Sequence, residues 1–457
     1  MQNAEKKCLT EESWNVTYSK EKTIELRQKY IGSSVQIFFS EDPIKIIKGS
    51  GQYMYDENNI RYLDCINNVA HVGHSHPYIT SACVQQMSLL NTNCRYLHDN
   101  IVHLAERLTN TLPDSLEICY FVNSGSEAND LAMRIARYYT KSKETLVLEH
   151  AYHGNLLSMT QISPYKLNKK NCEETLPPWA HVVPTPDRYR GKYRDNEYSI
   201  EKLSDLYAED VRKVCESLRE KGKSVGMFYL ESMQSCGGQV IFPKCYWEKI
   251  CKIIHEYGGV IIADEVQTGF GRVGNSFWAF QLNDSDIRPD IVTMGKPMGN
   301  GYPVAAVVTT RKISEAFRRG PDYFNTFGGS PVSCAIALAV LDIMENEKLQ
   351  EKARTIGNYL KQQLFLMMND LNIIGDVRGS GLFLGIDLVK SRQTREPATD
   401  EAKLALRRLK EKQIIMSTDG PYDNILKFKP PMCFSENDAD FLLDNLRVVL
   451  KGIQDEQ

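Results

Sequence analysis

A chain of 457 residues, 42% of them hydrophobic and 25% charged, carries enough apolar material for a large core divided between subdomains. Its net charge of -3 and sequence pI near 6.3 supply no basic footprint for nucleic acid or an anionic membrane. No apolar run reaches the length of a membrane span and the first twenty residues lack the apolar stretch of a secretory signal, so an intracellular protein acting on small molecules is expected. The 12 cysteines are scattered without CxxC or Cys/His spacing, so they read as reduced packing residues and no metal is expected.

In chain order, residues up to about 20 read as a loose segment and 21–30 as a short helix. Residues 44–47, 52–56 and 60–65, parted by Gly49, Gly51 and the Glu57-Asn58-Asn59 turn, predict an antiparallel meander. A loop over 67–76 leads to Pro77, suited to the first turn of a helix reaching about Leu90, and a second helix is predicted over 99–112. From Glu117 onward short apolar strands alternate with helices, the pattern of a parallel sheet covered on both faces. The strands are expected at 118–122, 145–149, 225–230, 260–264, 291–294 and 304–309. The Pro- and Tyr-rich stretch 163–197 is long for a connection, either functional or an ordered surface excursion. A helix from Pro331 to about Glu345 opens a final segment of mixed helices and strands.

Three stretches could carry chemistry. Asn123-Ser124-Gly125-Ser126-Glu127-Ala128-Asn129 follows a strand and opens a helix, where free amides and the positive end of the dipole suit a phosphate. Taken alone, it also serves as an ordinary N-cap turn. Asp264 ends one buried strand, where a carboxylate can keep a pyridine nitrogen protonated or merely cap a turn. Lys296, in Gly295-Lys296-Pro297, follows the next strand and is a candidate covalent holder of a carbonyl cofactor. Their joint occurrence in sheet order is far more specific than any one of them and points to pyridoxal phosphate.

These motifs, with Asp264-Glu265-Val266-Gln267-Thr268-Gly269-Phe270-Gly271-Arg272 and Thr326-Phe327-Gly328-Gly329-Ser330-Pro331, resemble the class III aminotransferases, from about Ile31 to the C-terminus. The resemblance implies an α/β chain of fold type I, with a large domain built on a mostly parallel seven-stranded sheet and a smaller α+β domain. The expected division is an N-terminal segment 1–70 contributing to the small domain, a large cofactor domain 71–320 and a C-terminal small domain 321–457. It further implies that Ser124, Gly125 and Ser126 hold the cofactor phosphate, that Tyr152 stacks on the ring, and that His153 and Glu231 belong to the cofactor site. On the same resemblance Asp264 is expected to meet the pyridine nitrogen, Gln267 to lie near the ring hydroxyl, Lys296 to carry the cofactor, and Thr326 to reach the phosphate from a partner subunit. A homodimer, possibly a dimer of dimers, is therefore expected. The implied compartment is the mitochondrion, with the cytosol as the alternative because Glu5, Glu11 and Glu12 do not suit an ordinary presequence.

The departures from the family pattern are informative. Where amino-acid transaminases of the family carry an arginine in an Arg-Phe-x-Pro-Pro pattern, this chain reads Lys427-Phe428-Lys429-Pro430-Pro431, and lysine does not replace a bidentate arginine on a carboxylate. Glu231-Ser232-Met233-Gln234-Ser235-Cys236 and His153-Gly154-Asn155 also depart from the usual wording. The chain thus resembles the phospho-lyase branch of the family, which implies phosphate elimination from a small phosphorylated amine. Phosphoethanolamine stands ahead of 5-phosphohydroxylysine, with an alanine-glyoxylate type transaminase and a non-catalytic binding relative as alternatives. For the substrate phosphate the candidates are Lys427 first, then Arg95, His71, Lys166 and the Arg188, Arg190, Lys192, Arg194 run, most of which also reads as a solvated loop.

Overall fold

Seven strands form the central sheet, in the order Ile118–Val122, Ala305–Thr309, Ile291–Met294, Val260–Asp264, Met227–Glu231, Thr145–Leu148 and Ala180–Val183. Only Ala305–Thr309 runs antiparallel to its neighbours, so the sheet is mostly parallel. This computed structural model describes residues 17–168, 172–282, 286–320 and 322–456. Its inner strands are continuous apolar runs because both faces are covered. Strand alternation divides them: Met227, Tyr229, Val260 and Ile262 pack with Leu131 and Ile135 of the helix Gly125–Thr140, while Phe228, Leu230, Ile261 and Ala263 join the larger core with Leu203 and Ile250 from helices Ile200–Glu220 and Tyr246–Glu256. Among the described residues no helix is long and apolar enough to cross a membrane.

The predicted meander forms as Ile46–Ser50, Tyr53–Asp56 and Arg61–Asp64. Ile414–Ile415 pairs in parallel with Arg61–Asp64, so the two ends of the chain share one small sheet, a long-range pairing that no local pattern reveals. A third sheet, Ile374–Ser380, Phe383–Ser391, Ile425–Phe428 and Ser417–Asp419, is antiparallel and delivers residues 427–429 toward the central sheet.

The stretch 163–197 holds an element that sequence reading passes over. Ala180–Val183 is the outer strand of the central sheet, paired with Thr145–Leu148. Four residues bounded by Pro177-Pro178 and Pro184 are too short to stand out as a strand, and an edge position tolerates His181, which bonds Glu144 at 2.6 Å. Residues 188–195 of the excursion are bolted to the C-terminal sheet and the loop beside it. Arg190 grips buried Asp387 through Nε (2.8 Å) and Nη2 (2.5 Å), and Arg378 and Asn424 bond the same carboxylate. Asp387→Asn should leave these guanidinium groups without their shared anion and cost about 3–5 kcal/mol, read as a lowered urea midpoint with unchanged cofactor absorbance of the folded fraction.

Candidate active site

The parallel strands end level with one another. Glu231 is the register partner of Asp264, and Asp264 of Thr293, so two carboxylates and, two residues past Met294, Lys296 emerge at one sheet edge. The N-terminus of the helix Gly125–Thr140 arrives at the same edge. Such an edge is where open α/β sheets bind ligands, and here it encloses a cavity of about 320 Å³.

The helix start is shaped for close approach. Ser124 caps it by accepting the Glu127 amide at 3.1 Å, while helix geometry gives the amides of Gly125 and Ser126 no intrahelical partner. A Cβ on Gly125 would lie 2.5 Å from Val266 Cγ1, so only glycine lets the two strand-end loops touch. Ser126 Oγ accepts the Asn155 amide at 3.0 Å, pinning the loop that carries Tyr152 and His153. Gly154 in that loop has φ +136°, and a Cβ there would meet Ser126 Oγ at 2.5 Å.

Asp264 is held from three sides. Its Oδ1 accepts the Val266 amide at 3.0 Å, and its Oδ2 accepts Asn129 Nδ2 and His153 Nδ1, each at 2.8 Å. Burial pulls the Lys296 ammonium below its usual range, against the opposing attraction of Asp264 and Glu231. Burial, reinforced by Asp264, pushes the Glu231 carboxyl up to about 8, although both its oxygens accept amides, from Tyr152 at 3.1 Å and Ser235 at 2.9 Å. Tyr152 lies edge-on to Tyr165 with ring centres 6.4 Å apart, and Lys166 Nζ stands 5.6 Å from the Tyr152 ring.

Every residue expected to hold the cofactor lines this cavity except Thr326, which is exposed elsewhere on the single chain. The expected phosphate ligands are not brought together. Lys427 pairs with buried Asp419 at 2.8 Å. Arg95 lies over Phe324 at 4.0 Å, away from the cavity wall. His71 is fully buried, with Nε2 on the Phe270 carbonyl at 2.8 Å and Nδ1 on Arg272 Nη2 at 3.2 Å, so within this chain it organises its loop. Arg190, Lys192 and Arg194 are engaged with Asp387, Asp210 and the Gly191 carbonyl.

Sequence reading missed Lys429. It is buried, its Nζ donates to Gln267 Oε1 at 2.7 Å, and Asn68 Nδ2 donates to the same oxygen at 3.2 Å. With both donors on Oε1, the Gln267 amide nitrogen remains to serve the cavity. Burial and repulsion from Lys427 bring the Lys429 ammonium down to about 7. The signal was present: two residues apart in extended chain, Lys427 and Lys429 share a face. Asn129 was missed because its role depends on a helix turn packing over a strand end.

Residues 39–450 match the family described as aminotransferase class-III. The chain belongs to that family. A relative from Drosophila melanogaster named alanine–glyoxylate aminotransferase 2-like is 48% identical over 96% of this chain and 89% of its own length. One from Caenorhabditis elegans named ethanolamine-phosphate phospho-lyase homolog 1 is 46% identical over 92% of this chain and 91% of its own. Among solved structures, a phospholyase from Arthrobacter in complex with phosphoethanolamine superposes with a TM-score of 0.89 at 37% identity, covering 94% of this chain and 99% of that one. As a class-III enzyme the chain uses pyridoxal phosphate, and its cavity fits that group: a desolvated lysine, a carboxylate fixed by three donors, and a helix start that only a glycine can form. Lys296→Ala should abolish visible cofactor absorbance, whereas Gly125→Ala, by pushing Val266 away, should weaken cofactor retention about tenfold or more in equilibrium dialysis.

Proposed function

We propose that this class-III enzyme is a phospho-lyase that converts phosphoethanolamine and water to acetaldehyde, ammonia and inorganic phosphate. The observation that carries the reading is a pair of lysines within electrostatic reach of Lys296: Lys427 is balanced by Asp419, and Lys429 adds a second ammonium whose nearest partner is a neutral amide. One unbalanced positive charge next to the catalytic amine suits an incoming phosphate. The phosphoethanolamine complex of the Arthrobacter phospholyase and the name of the nematode relative support it.

When bound, pyridoxal phosphate supplies an electron sink for the carbon that carries the substrate nitrogen. In this proposal Gly125 and Ser126 hold its phosphate through their amides, Tyr152 covers its ring, Asp264 faces its pyridine nitrogen and Gln267 its hydroxyl. Lys296 carries it, is released by the substrate amine, and as a desolvated free amine takes the proton from that carbon. Lys427 and Lys429 hold the phosphate on the neighbouring carbon, so that it leaves with the bonding electrons before a proton can return. The resulting enamine is hydrolysed by water to the aldehyde and ammonia. A pocket without the carboxylate-gripping arginine favours an amine substrate over an amino acid. We further propose a homodimer in which exposed Thr326 and Arg95, beside exposed Leu97 and Phe327, face the partner's site.

The Drosophila relative's name favours a transaminase as the second reading. Separate incubations with phosphoethanolamine, 5-phosphohydroxylysine, and alanine plus glyoxylate decide between them: the first is expected to release phosphate and acetaldehyde in equal amounts. Amination of glyoxylate without phosphate release from either phosphorylated amine would refute the lyase. Lys427→Ala is expected to raise KM for the phosphorylated amine about tenfold or more with cofactor absorbance intact; loss of both readouts would assign it to structure instead.

The depressed Lys429 gives a pH signature. Below about 7 it is charged and ready for phosphate; above that, binding must draw a proton from solvent. KM should therefore rise with pH between about 7.5 and 9, approaching roughly tenfold per unit, and Lys429→Met should show a high KM that no longer follows this trend.

A further inference from the structure

The basic run 188–194 contains one cation that the fold does not neutralise closely. Arg190, Lys192 and Arg194 are tied down as described, but Arg188 comes no nearer than 3.8 Å to a carboxylate, Asp376 Oδ1, whose other oxygen binds Arg378 at 2.9 Å. Arg188 lies on a cleft of about 200 Å³ between the loop after Ala180–Val183, residues 240–244, the helix Leu349–Met367 and the strand Ile374–Ser380. Lys361 enters the cleft from the helix and donates to the Gly379 carbonyl at 3.1 Å. Burial, and then Arg188, draw its ammonium below the usual range, against the smaller opposing pull of Asp376. Lys244 stands exposed at the rim, and among the described residues neither it nor Lys361 has a carboxylate within 4 Å. Asp187 also lines the cleft, and its Oδ1 accepts the amides of Tyr189 (2.7 Å) and Arg190 (3.2 Å). The floor is apolar, from Leu203, Val240, Phe242 and Val377.

We propose that this cleft is a second binding site for a small phosphate dianion, held by the Arg188 fork and the Lys361 ammonium with Lys244 closing the rim. Arg188 offers paired donors and Lys361 a point charge, a combination suited to three phosphate oxygens carrying two charges. The volume lies below that of drug-sized pockets and has no room for a nucleotide. No residue lines both this cleft and the cavity at Lys296, so the site stands apart from the chemistry and does not depend on which substrate the enzyme takes.

The test is calorimetric titration of the holoenzyme at constant ionic strength with inorganic phosphate and, separately, ethyl phosphate. Wild type is expected to bind inorganic phosphate at a class of sites that Arg188→Gln and Lys361→Gln weaken at least tenfold and that Lys427→Ala retains, with cofactor absorbance unchanged in the first two. Parallel binding of ethyl phosphate names a monoester as an occupant; its exclusion names free phosphate. Equal phosphate affinity in wild type, Arg188→Gln and Lys361→Gln overturns the proposal, and so does loss confined to Lys427→Ala, which would put the anion in the active site alone. If Lys361→Gln does not fold, Arg188→Gln, on an exposed side chain, decides by itself.

Discussion

A lysine amine set deep in a cavity, with two carboxylates nearby, is the constraint around which this site is built. A charged lysine in a low-dielectric interior is costly, and burial shifts Lys296 toward its neutral, nucleophilic form. Asp264 and Glu231 pull the other way, so their effect has to be limited. Asp264 is occupied by three donors, and Glu231 is buried deeply enough to favour its protonated form. The level strand ends deliver all three groups, and the close approaches at Gly125 and Gly154 bring the helix start, the Val266 loop and the Tyr152 loop together around the cavity.

The proposed substrate contacts come from another part of the chain. The C-terminal sheet brings Lys429 onto Gln267 of the cavity wall and pairs Lys427 with Asp419 on the neighbouring strand. On the adjoining strand Asp387 clamps Arg190 of the long excursion and Arg378 of the C-terminal sheet into one buried ion cluster. Buried clusters of this kind confer geometry more surely than net stability. Here the strand next to the cluster is the one that carries Lys427.

Much of the fold was legible because it follows from local rules. The strands 118–122, 260–264 and 291–294 announce themselves as short apolar runs between helices, and Pro77 and Pro331 mark helix starts where proline costs nothing. Ala180–Val183 was not legible, since a four-residue edge strand between prolines has no pattern of its own. The parallel pairing of Ile414–Ile415 with Arg61–Asp64 was hidden for a different reason: roughly 350 residues separate partners that carry no mutual signal.

By itself the sequence determined the chemistry at the sheet edge: a glycine-rich helix start, a strand-end acid and a lysine after the next strand, in an order that belongs to one cofactor family. Those residues sit next to the elements that position them, so spacing along the chain carries their meaning. Only the tertiary structure decided which cations are spent and which are available. Sequence reading singled out Lys427 and passed over Lys429, yet Lys427 meets Asp419 and Lys429 an amide, and of the four cations at 188–194 only Arg188 is left on an open cleft. The energy of a charge is set by what packs against it from distant segments, and that information exists only in the folded chain.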